Sequence, residues 1–153
     1  DPENFIARVK KILLTTRAID FTSRLVFRIL IVDSNPYDID IEREMVEKNF
    51  PCDVFTAQSG LEGLFLLEEN SVDLIIVSFK MPFMDGPKFL SFIRRDENLC
   101  KIPVIFMVAA NERNLVGGTG SALARGYIRK PDFDKAGLML IKNVLNEGKY
   151  WRK

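Results

Sequence analysis

Four polar side chains with chemical potential each stand at the end of a short apolar run. They are Asp33, Ser34, Ser78 and Lys130. A carboxylate can bind a divalent cation, and an ammonium group can pair with a carboxylate or a phosphoryl group. A serine hydroxyl is a weak nucleophile unless a neighbouring base activates it. Any site built from these residues therefore has one acid, two hydroxyl groups and one cation.

The chain contains no histidine, which removes a large class of chemistry. Serine-hydrolase triads, histidine-based zinc sites and histidine phosphotransfer within the chain are excluded. Cys52 and Cys100 are far apart, with no second thiol at metal-ligand spacing, so we expect free, inert thiols in a reducing cytosol. We expect no catalytic residue and no enzymatic activity.

The bulk composition is that of an ordinary globular domain. The chain has 153 residues, 47% of them hydrophobic and 28% charged, with a formal net charge of +1. This length suits one domain with a continuous core. The near-neutral charge predicts no nucleic-acid binding by this domain, and no apolar run approaches the roughly 20 residues of a membrane span. We expect a cytoplasmic protein.

Short apolar strands alternate with amphipathic helical segments from residue 27 onward. This alternation predicts an α/β fold, a doubly wound five-stranded parallel sheet with helices on both faces. The segment at 102–110 is the most apolar, so we expect it at the centre of the sheet. Strands are predicted at 27–32, 53–57, 74–77, 102–110 and 126–129, and helices after Asn35, after Ser59, at 87–95 and from about Asp134.

The first helix has a clear start and an apparent apolar stripe. Asn35 is the predicted N-cap, and Pro36 occupies the first helical position. Tyr37, Ile41 and Met45 follow at intervals of four residues, with Val46 and Phe50 alongside, which predicts a helix with one apolar face.

The segment at 111–121 interrupts the pattern where a fourth helix should begin. Gly117, Gly118 and Gly120 weaken a helix by about 1 kcal/mol each. No Lys-Ser or Lys-Thr follows, so the glycines favour a flexible loop over a phosphate-binding loop. Only 121–125 is predicted to form a short helical turn.

Ligands of an open parallel sheet bind outside the carboxyl ends of the strands. In this chain those ends are marked by Asp33 with Ser34, by Ser78, by Val108 and by Lys130. We therefore expect these residues to meet at one edge of the sheet.

Several motifs, in order along the chain, resemble one known family. The stretch at 72–86, V-D-L-I-I-V-S-F-K-M-P-F-M-D-G, is similar to the strand and loop that carry the phosphorylated aspartate in receiver domains of bacterial response regulators. The stretch at 29–35, I-L-I-V-D-S-N, resembles the family's strand ending in two acidic residues. Lys130-Pro131 resembles the Lys-Pro pair that closes the site. The resemblance covers about residues 26–145 and implies a flavodoxin-like, CheY-like fold.

The resemblance also implies a phosphorylation pocket with altered acids. Asp33 matches the first acid of the family, whereas Ser34 replaces the second. Ser78, 45 residues beyond Asp33, occupies the position of the phosphorylated aspartate. A serine cannot form an acyl phosphate. The resemblance therefore predicts a degenerate receiver, or pseudo-receiver.

The remaining pocket positions are altered in part. Val108 stands where the family has a switching Ser or Thr, and it has no hydroxyl group. Tyr127 matches the aromatic switch position, three residues before Lys130. With Asp33 the only retained carboxylate, we expect Lys130 to pair with it. We expect no Mg²⁺ site and no other cofactor, because Mg²⁺ is held by one or two carboxylates plus waters and phosphate oxygens.

The resemblance implies a receiver-like module of a two-component, phosphorelay signalling protein. We expect it to work without phosphorylation, by docking to a protein partner or by self-association through the last strand and helix. One alternative is a noncanonical phosphoacceptor, Ser78 or Asp33. A remote alternative is a flavodoxin-like ligand-binding protein, which the glycine-poor loop after the first strand disfavours.

The chain divides into a receiver-like domain at 26–148, a C-terminal tail at 149–153, and an N-terminal helix and linker at 1–25. Phe5, Val9, Ile12 and Leu13 predict an amphipathic helix over 1–14. The pattern Asp-Pro-Glu-Asn-Phe-Ile-Ala-Arg-Val also resembles the last helix of a receiver. The segment is therefore either the tail of a preceding receiver or a generic linker helix, and we expect a longer multidomain protein.

Overall fold

The computed structural model describes residues 26–115, 123–130 and 134–151. The predicted N-terminal helix at 1–25, the glycine loop at 117–120, Pro131 and the last two residues of the predicted C-terminal tail lie outside the described residues.

Strands and helices alternate along the described chain, and the strands form one parallel sheet. Its strand order is β2-β1-β3-β4-β5. The predicted doubly wound five-stranded α/β fold is therefore confirmed. The elements are β1 (Phe27–Val32), α1 (Pro36–Asn49), β2 (Cys52–Ala57), α2 (Gly60–Glu69), β3 (Leu74–Ser78), α3 (Gly86–Arg95), β4 (Val104–Val108), a 3-10 helix (Ala110–Leu115), β5 (Gly126–Arg129) and α4 (Lys135–Trp151).

The central strand is β3, and the prediction that the 102–110 segment is central was wrong. Both β3 and β4 have a neighbouring strand on each side, and all five residues of each strand are buried. Apolar content therefore identifies interior strands but does not rank them. The strand is also shorter than predicted, because Pro103 precedes it and the 3-10 helix begins at Ala110.

Two apolar layers cover the two faces of the sheet. Alternate strand residues, such as Val32, Val77 and Phe106, pack against α2 and α3. The intervening residues, such as Ile31 and Ile76, pack against α1 and α4. Each large side chain buried in these layers contributes about 1.5–3 kcal/mol. The layers fix the positions of the strand ends, where the polar residues lie.

The apolar face predicted for α1 matches the buried face only in part, since Val46 is buried and two of the predicted residues are exposed. The buried residues of the helix are Ile39, Glu42 and Val46, whereas Tyr37 is 79% exposed and Ile41 is 41% exposed. The cap fixes the start of the helix, because the Tyr37 N–H donates to Asn35 Oδ1 at 3.0 Å. From that start, positions separated by three and four residues face the sheet. Because Glu42 is one of the buried residues, the spacing of apolar residues alone did not show which face of the helix is buried.

The loop before α3 is held by an aspartate cap and by a close backbone approach. The Lys88 N–H donates to Asp85 Oδ1 at 2.8 Å, as expected of an N-cap. At Gly86 a Cβ atom would lie 2.7 Å from the carbonyl oxygen of Ser78. The loop therefore needs a residue without a side chain here so that it can return beside the end of β3.

Replacing Gly86 by alanine should destabilise the domain. The added methyl group would press on backbone atoms that cannot move cheaply, so we expect a loss of about 1–3 kcal/mol in the free energy of unfolding, measured by urea titration. Lys88→Ala, an exposed change in the same turn, is the matched control and should have little effect. Equal stabilities of the two variants would contradict this account of the loop.

Candidate functional site

The predicted pocket residues do lie at one edge of the sheet. Val32 pairs with Val77 in the register of β1 and β3, so Asp33 and Ser78 follow at the same level. Between β4 and β5, the backbone N–H of Lys130 donates to the carbonyl oxygen of Val108 at 2.9 Å. The carboxyl ends of four neighbouring strands thus bring these residues to one region.

Asp33 is the centre of the polar contacts at this edge. Asp33 is 1% exposed, and its Oδ1 accepts a hydrogen bond from the Asn35 N–H at 2.9 Å. Its Oδ2 accepts from Lys130 Nζ at 2.5 Å. Both carboxylate oxygens of Asp33 are therefore engaged by groups of the protein itself.

The expected Asp33–Lys130 ion pair is confirmed, and α1 adds a second acid to it. Lys130 Nζ also donates to Oδ2 of Asp38, in the first turn of α1, at 3.3 Å. Burial alone would lower the pKa of Lys130. The hydrogen bond to Asp33 and the negative charge of Asp33 raise it by more, and the charges of Glu42 and Asp38 raise it further. The pKa of Lys130 is therefore raised. Lys130 is therefore held as a cation between β1 and α1.

Glu42 is a buried acid that the sequence analysis missed. It is 1% exposed, and neither carboxyl oxygen has a hydrogen-bond partner among the described atoms. Burial first, and then the charge of Asp33, raise the pKa of Glu42 from 4.5 to about 9. Burial next to the charge of Asp33 therefore favours the protonated form of Glu42 at neutral pH. A signal existed in the sequence, since Ile39, Glu42 and Val46 share one helical face.

The other pocket residues offer no acid. Ser78 is 1% exposed, and its hydroxyl group donates to the carbonyl oxygen of Lys80 at 3.3 Å. Val108 is fully buried in the layer that faces α2 and α3. Ser34 is half-buried. Tyr127, in contrast, is 51% exposed on the edge strand β5.

A divalent cation does not fit the residues at this edge. Mg²⁺ is held by carboxylate oxygens, and the ammonium group of Lys130 already lies against Oδ2 of Asp33, where a cation would be repelled. Ser34 and Ser78 are neutral, and Glu42 is held protonated by its burial. Within residues 26–115, 123–130 and 134–151, no cluster of three acids, cysteines or histidines could hold a metal ion.

The sheet order, the helices on both faces and the Asp33–Lys130 pair at the carboxyl edge define a receiver-type signalling domain. The sequence profile of the response regulator receiver domain matches residues 29–142. The chain belongs to this family.

Individual relatives agree with this assignment. The chain is 36% identical over 107 residues to the probable transcriptional regulator ycf29 of Porphyra purpurea, a match covering 69% of this chain and 49% of the relative. It is 29% identical over 124 residues to the polar-differentiation response regulator DivK of Brucella ovis, covering 78% and 96%. A match to hybrid signal transduction histidine kinase G of Dictyostelium discoideum covers 72% of this chain and 3% of the relative. The chain thus spans about half of ycf29 and a small part of the kinase.

Solved structures share the architecture. A response regulator receiver domain from Clostridium thermocellum superposes with a TM-score of 0.71 at 26% identity, covering 82% of this chain and 99% of that one. The chemotaxis response regulator CheY4 of Vibrio cholerae, at 23% identity, has a TM-score of 0.67 and shares the fold.

In the described residues, no helix is both long and apolar enough to span a membrane.

Removing the acid at position 42 should change the dependence of stability on pH. Because the folded protein raises the pKa of Glu42 from its ordinary value of 4.5 to about 9, the stability that this proton provides is complete below about pH 4.5 and is lost as the pH rises toward 9. Glu42→Gln mimics the protonated form. We expect it to raise the free energy of unfolding by about 2 kcal/mol or more at pH 8, and by much less at pH 5.

Urea titrations at pH 5, 6, 7 and 8 measure this difference. Glu44→Gln changes an exposed acid on the same helix and is the matched control. A pH profile of Glu42→Gln that runs parallel to that of the unmodified protein would refute the assignment of a neutral Glu42.

Proposed function

We propose that the chain is a receiver module of a two-component signalling protein that works without aspartyl phosphorylation, through protein–protein interaction. In this proposal it is a pseudo-receiver, binds no Mg²⁺ or other cofactor and catalyses no reaction. It belongs to a longer multidomain protein in the cytoplasm. Its receiver-like domain is 26–148, with a tail at 149–153 and a helix and linker at 1–25.

The observation that carries the proposal is the closed set of contacts around Asp33. Lys130, which would have to reach an incoming phosphoryl group, is already bonded to Asp33 and Asp38. A phosphoryl group would have to compete with these two acids for the ammonium group of Lys130. The protein therefore occupies its own pocket.

The side chain at the acceptor position also supports the proposal. Ser78 is buried, and its hydroxyl group is bonded to a backbone carbonyl. A nucleophilic serine needs a base within hydrogen-bond reach, and the neighbouring acids are a paired Asp33 and a protonated Glu42. This weighs against Ser78 or Asp33 as a noncanonical phosphoacceptor.

The surface of β5 and α4 supports the proposed interaction. Tyr127 on β5 is 51% exposed, and Met139 on α4 is 47% exposed. Arg125, just before β5, forms an ion pair with Glu147 of α4, which ties the strand and the helix together. Exposed apolar side chains on an edge strand and on the neighbouring helix are suited to docking. The matched relatives include a hybrid kinase and a transcriptional regulator, which is consistent with a module that acts inside larger proteins.

Phosphate donors should leave the protein unmodified. We expect no mass increase after incubation with acetyl phosphate and Mg²⁺, because the acceptor acid is absent and Asp33 is paired. The comparison protein carries both Ser34→Asp and Ser78→Asp, so that acids stand at the two positions where the family has them. This variant should gain Mg²⁺ binding by calorimetry and a labile phosphate by mass spectrometry.

Stoichiometric phosphate on the unmodified protein would refute the proposal. If that phosphate disappears in Ser78→Ala, the noncanonical serine acceptor is correct. If it persists in Ser78→Ala and disappears in Asp33→Asn, the acceptor is Asp33.

Charges on the β5–α4 surface should abolish association if this surface is the interface. Tyr127→Asp with Met139→Asp should increase the dissociation constant at least tenfold, because each burial of an apolar side chain is replaced by a desolvated charge. Sedimentation of the chain measures self-association, and calorimetry with an adjoining domain of the parent protein measures docking. Tyr37→Asp with Ile41→Asp, on α1, is the matched control. Equal effects of the two pairs would exclude the surface.

A further inference from the structure

Helices α2 and α3 lie side by side on one face of the sheet. Both pack against the same apolar layer, and a Cβ atom built on Gly63 of α2 would lie 3.2 Å from the ring of Phe89 in α3. The glycine therefore lets the two helices approach closely. Because each helix connects two parallel strands, both helices run opposite to the strands and parallel to each other.

The outward surface of this helix pair carries large apolar side chains that the proposed function does not use. Leu61 and Phe65 of α2 are 59% and 62% exposed, and Phe92 of α3 is 42% exposed. Phe92 follows Phe89 by three residues, so it lies on the side of α3 that faces α2. The three exposed side chains therefore belong to one surface.

Phe83 extends this surface at the N-terminal ends of the two helices. It is fully exposed in the loop before α3, and its φ angle of +66° is a left-handed value that bulky residues rarely adopt. Strain of this kind clusters at binding sites. A Cβ atom on Gly60 would lie 2.5 Å from Sδ of Met84, so the loop lies against the start of α2. We call the outward surface with Leu61, Phe65, Phe83 and Phe92 the α2–α3 surface.

The two helices carry charges of opposite sign. Helix α2 contains three exposed acids and no base, and helix α3 contains three bases and no acid. The acids are Glu62, Glu68 and Glu69, and the bases are Lys88, Arg94 and Arg95. Glu68 and Arg95 are both exposed, and neither forms an ion pair with another described residue. Their charges are therefore open to a partner.

The loops at the ends of the helices do not reverse this difference. The exposed charges that flank α3 are Lys80 and Asp85 before it and Asp96 and Glu97 after it. Asp85 and Asp96 cap the helix and accept backbone hydrogen bonds at 2.8 Å. With the loops included, the segment at 80–97 has four bases and three acids, whereas the segment at 58–71 has three acids and no base.

A second copy of the chain matches this distribution of charge in one of two symmetric arrangements. With the two-fold axis across the helices, α2 would lie on α2 of the second copy, and three acids would face three acids. With the axis parallel to the helices, α2 lies on α3 of the second copy, and the acidic helix meets the basic one. A two-fold interface repeats every contact, so both copies make the same favourable pairs.

The spacing of the exposed residues agrees with the second arrangement. Positions 61, 65 and 68 of α2 have the same intervals as positions 88, 92 and 95 of α3. When two parallel helices are aligned in this register, Phe65 lies against Phe92 of the second copy. Glu68 then lies opposite Arg95 of the second copy, one turn further along. Aromatic contact and charge pairing therefore occur in the same register.

We propose that two copies of the chain form a two-fold dimer through the α2–α3 surface, with α2 of each copy on α3 of the other. Helix α4 packs on the opposite face of the sheet, so the dimer leaves the β5–α4 surface open to a protein partner. Each of the two helices has 10 residues and is about 15 Å long, so the interface is small. A small interface gives weak, reversible association.

Charge reversal in the full chain tests the pairing. We expect sedimentation equilibrium of the unmodified chain to show a dimer with a dissociation constant of about 10 μM to 1 mM. Glu68→Arg and Arg95→Glu should each increase this constant about tenfold, because the two-fold axis places each changed charge opposite a like charge twice. Glu44→Arg and Lys48→Glu, two exposed positions on α1, are the matched controls and should have little effect.

Restoration of the dimer tests the symmetry. An equimolar mixture of the Glu68→Arg and Arg95→Glu variants should regain the dissociation constant of the unmodified chain, because each arginine again faces a glutamate. A chain that carries both changes should regain it for the same reason. A dimer of α2 on α2 would instead leave the Arg95→Glu variant unaffected, which overturns the proposal.

Three other results would also overturn the proposal. They are a chain that stays monomeric up to about 1 mM, variants that behave like the α1 controls, and a mixture that does not recover. If Tyr127→Asp with Met139→Asp dissociates the dimer while the Glu68 and Arg95 variants do not, self-association belongs to the β5–α4 surface. That result would support the proposed function and reject the α2–α3 dimer.

Discussion

The ion pair between Asp33 and Lys130 is the contact on which the rest of the carboxyl edge depends. It joins the first strand to the end of the last, and Asp38 and Glu42 add helix α1 to the same group. A charge at this depth is stable only when it is paired. The position of each neighbour can be understood from this requirement. Asp38 shares the ammonium group, the Asn35 N–H takes the other oxygen of Asp33, and Glu42 keeps its proton.

The neutral state of Glu42 also limits what the edge can bind. Lys130 lies between Asp33 and Asp38, and burial favours the protonated form of Glu42. An incoming ion would have to displace contacts that these groups already make. The hydroxyl groups of Ser34 and Ser78 add no charge. The charged groups of this edge are therefore compensated within the protein.

Much of this arrangement could be predicted from the sequence, and the failures have physical reasons. The strand at 27–32, the Asn35 and Ser59 caps and the Asp33–Lys130 pair follow from local patterns and from motif order. The central strand could not be predicted, because strand order depends on tertiary packing that apolar content does not encode. Glu42 was missed because an acid in a buried stripe contradicts the usual polarity of a helix face. The strained Phe83 gave no sequence signal, since any residue can occupy a loop.

The long separation of the two paired residues has a kinetic consequence. Asp33 and Lys130 are 97 positions apart in the chain, so their contact closes almost the whole sheet. Loop-closure entropy disfavours such a contact until most of the intervening structure has formed. We therefore expect the pair to form after the main folding barrier. In that case its loss would speed the opening of the folded domain and leave the rate of folding nearly unchanged.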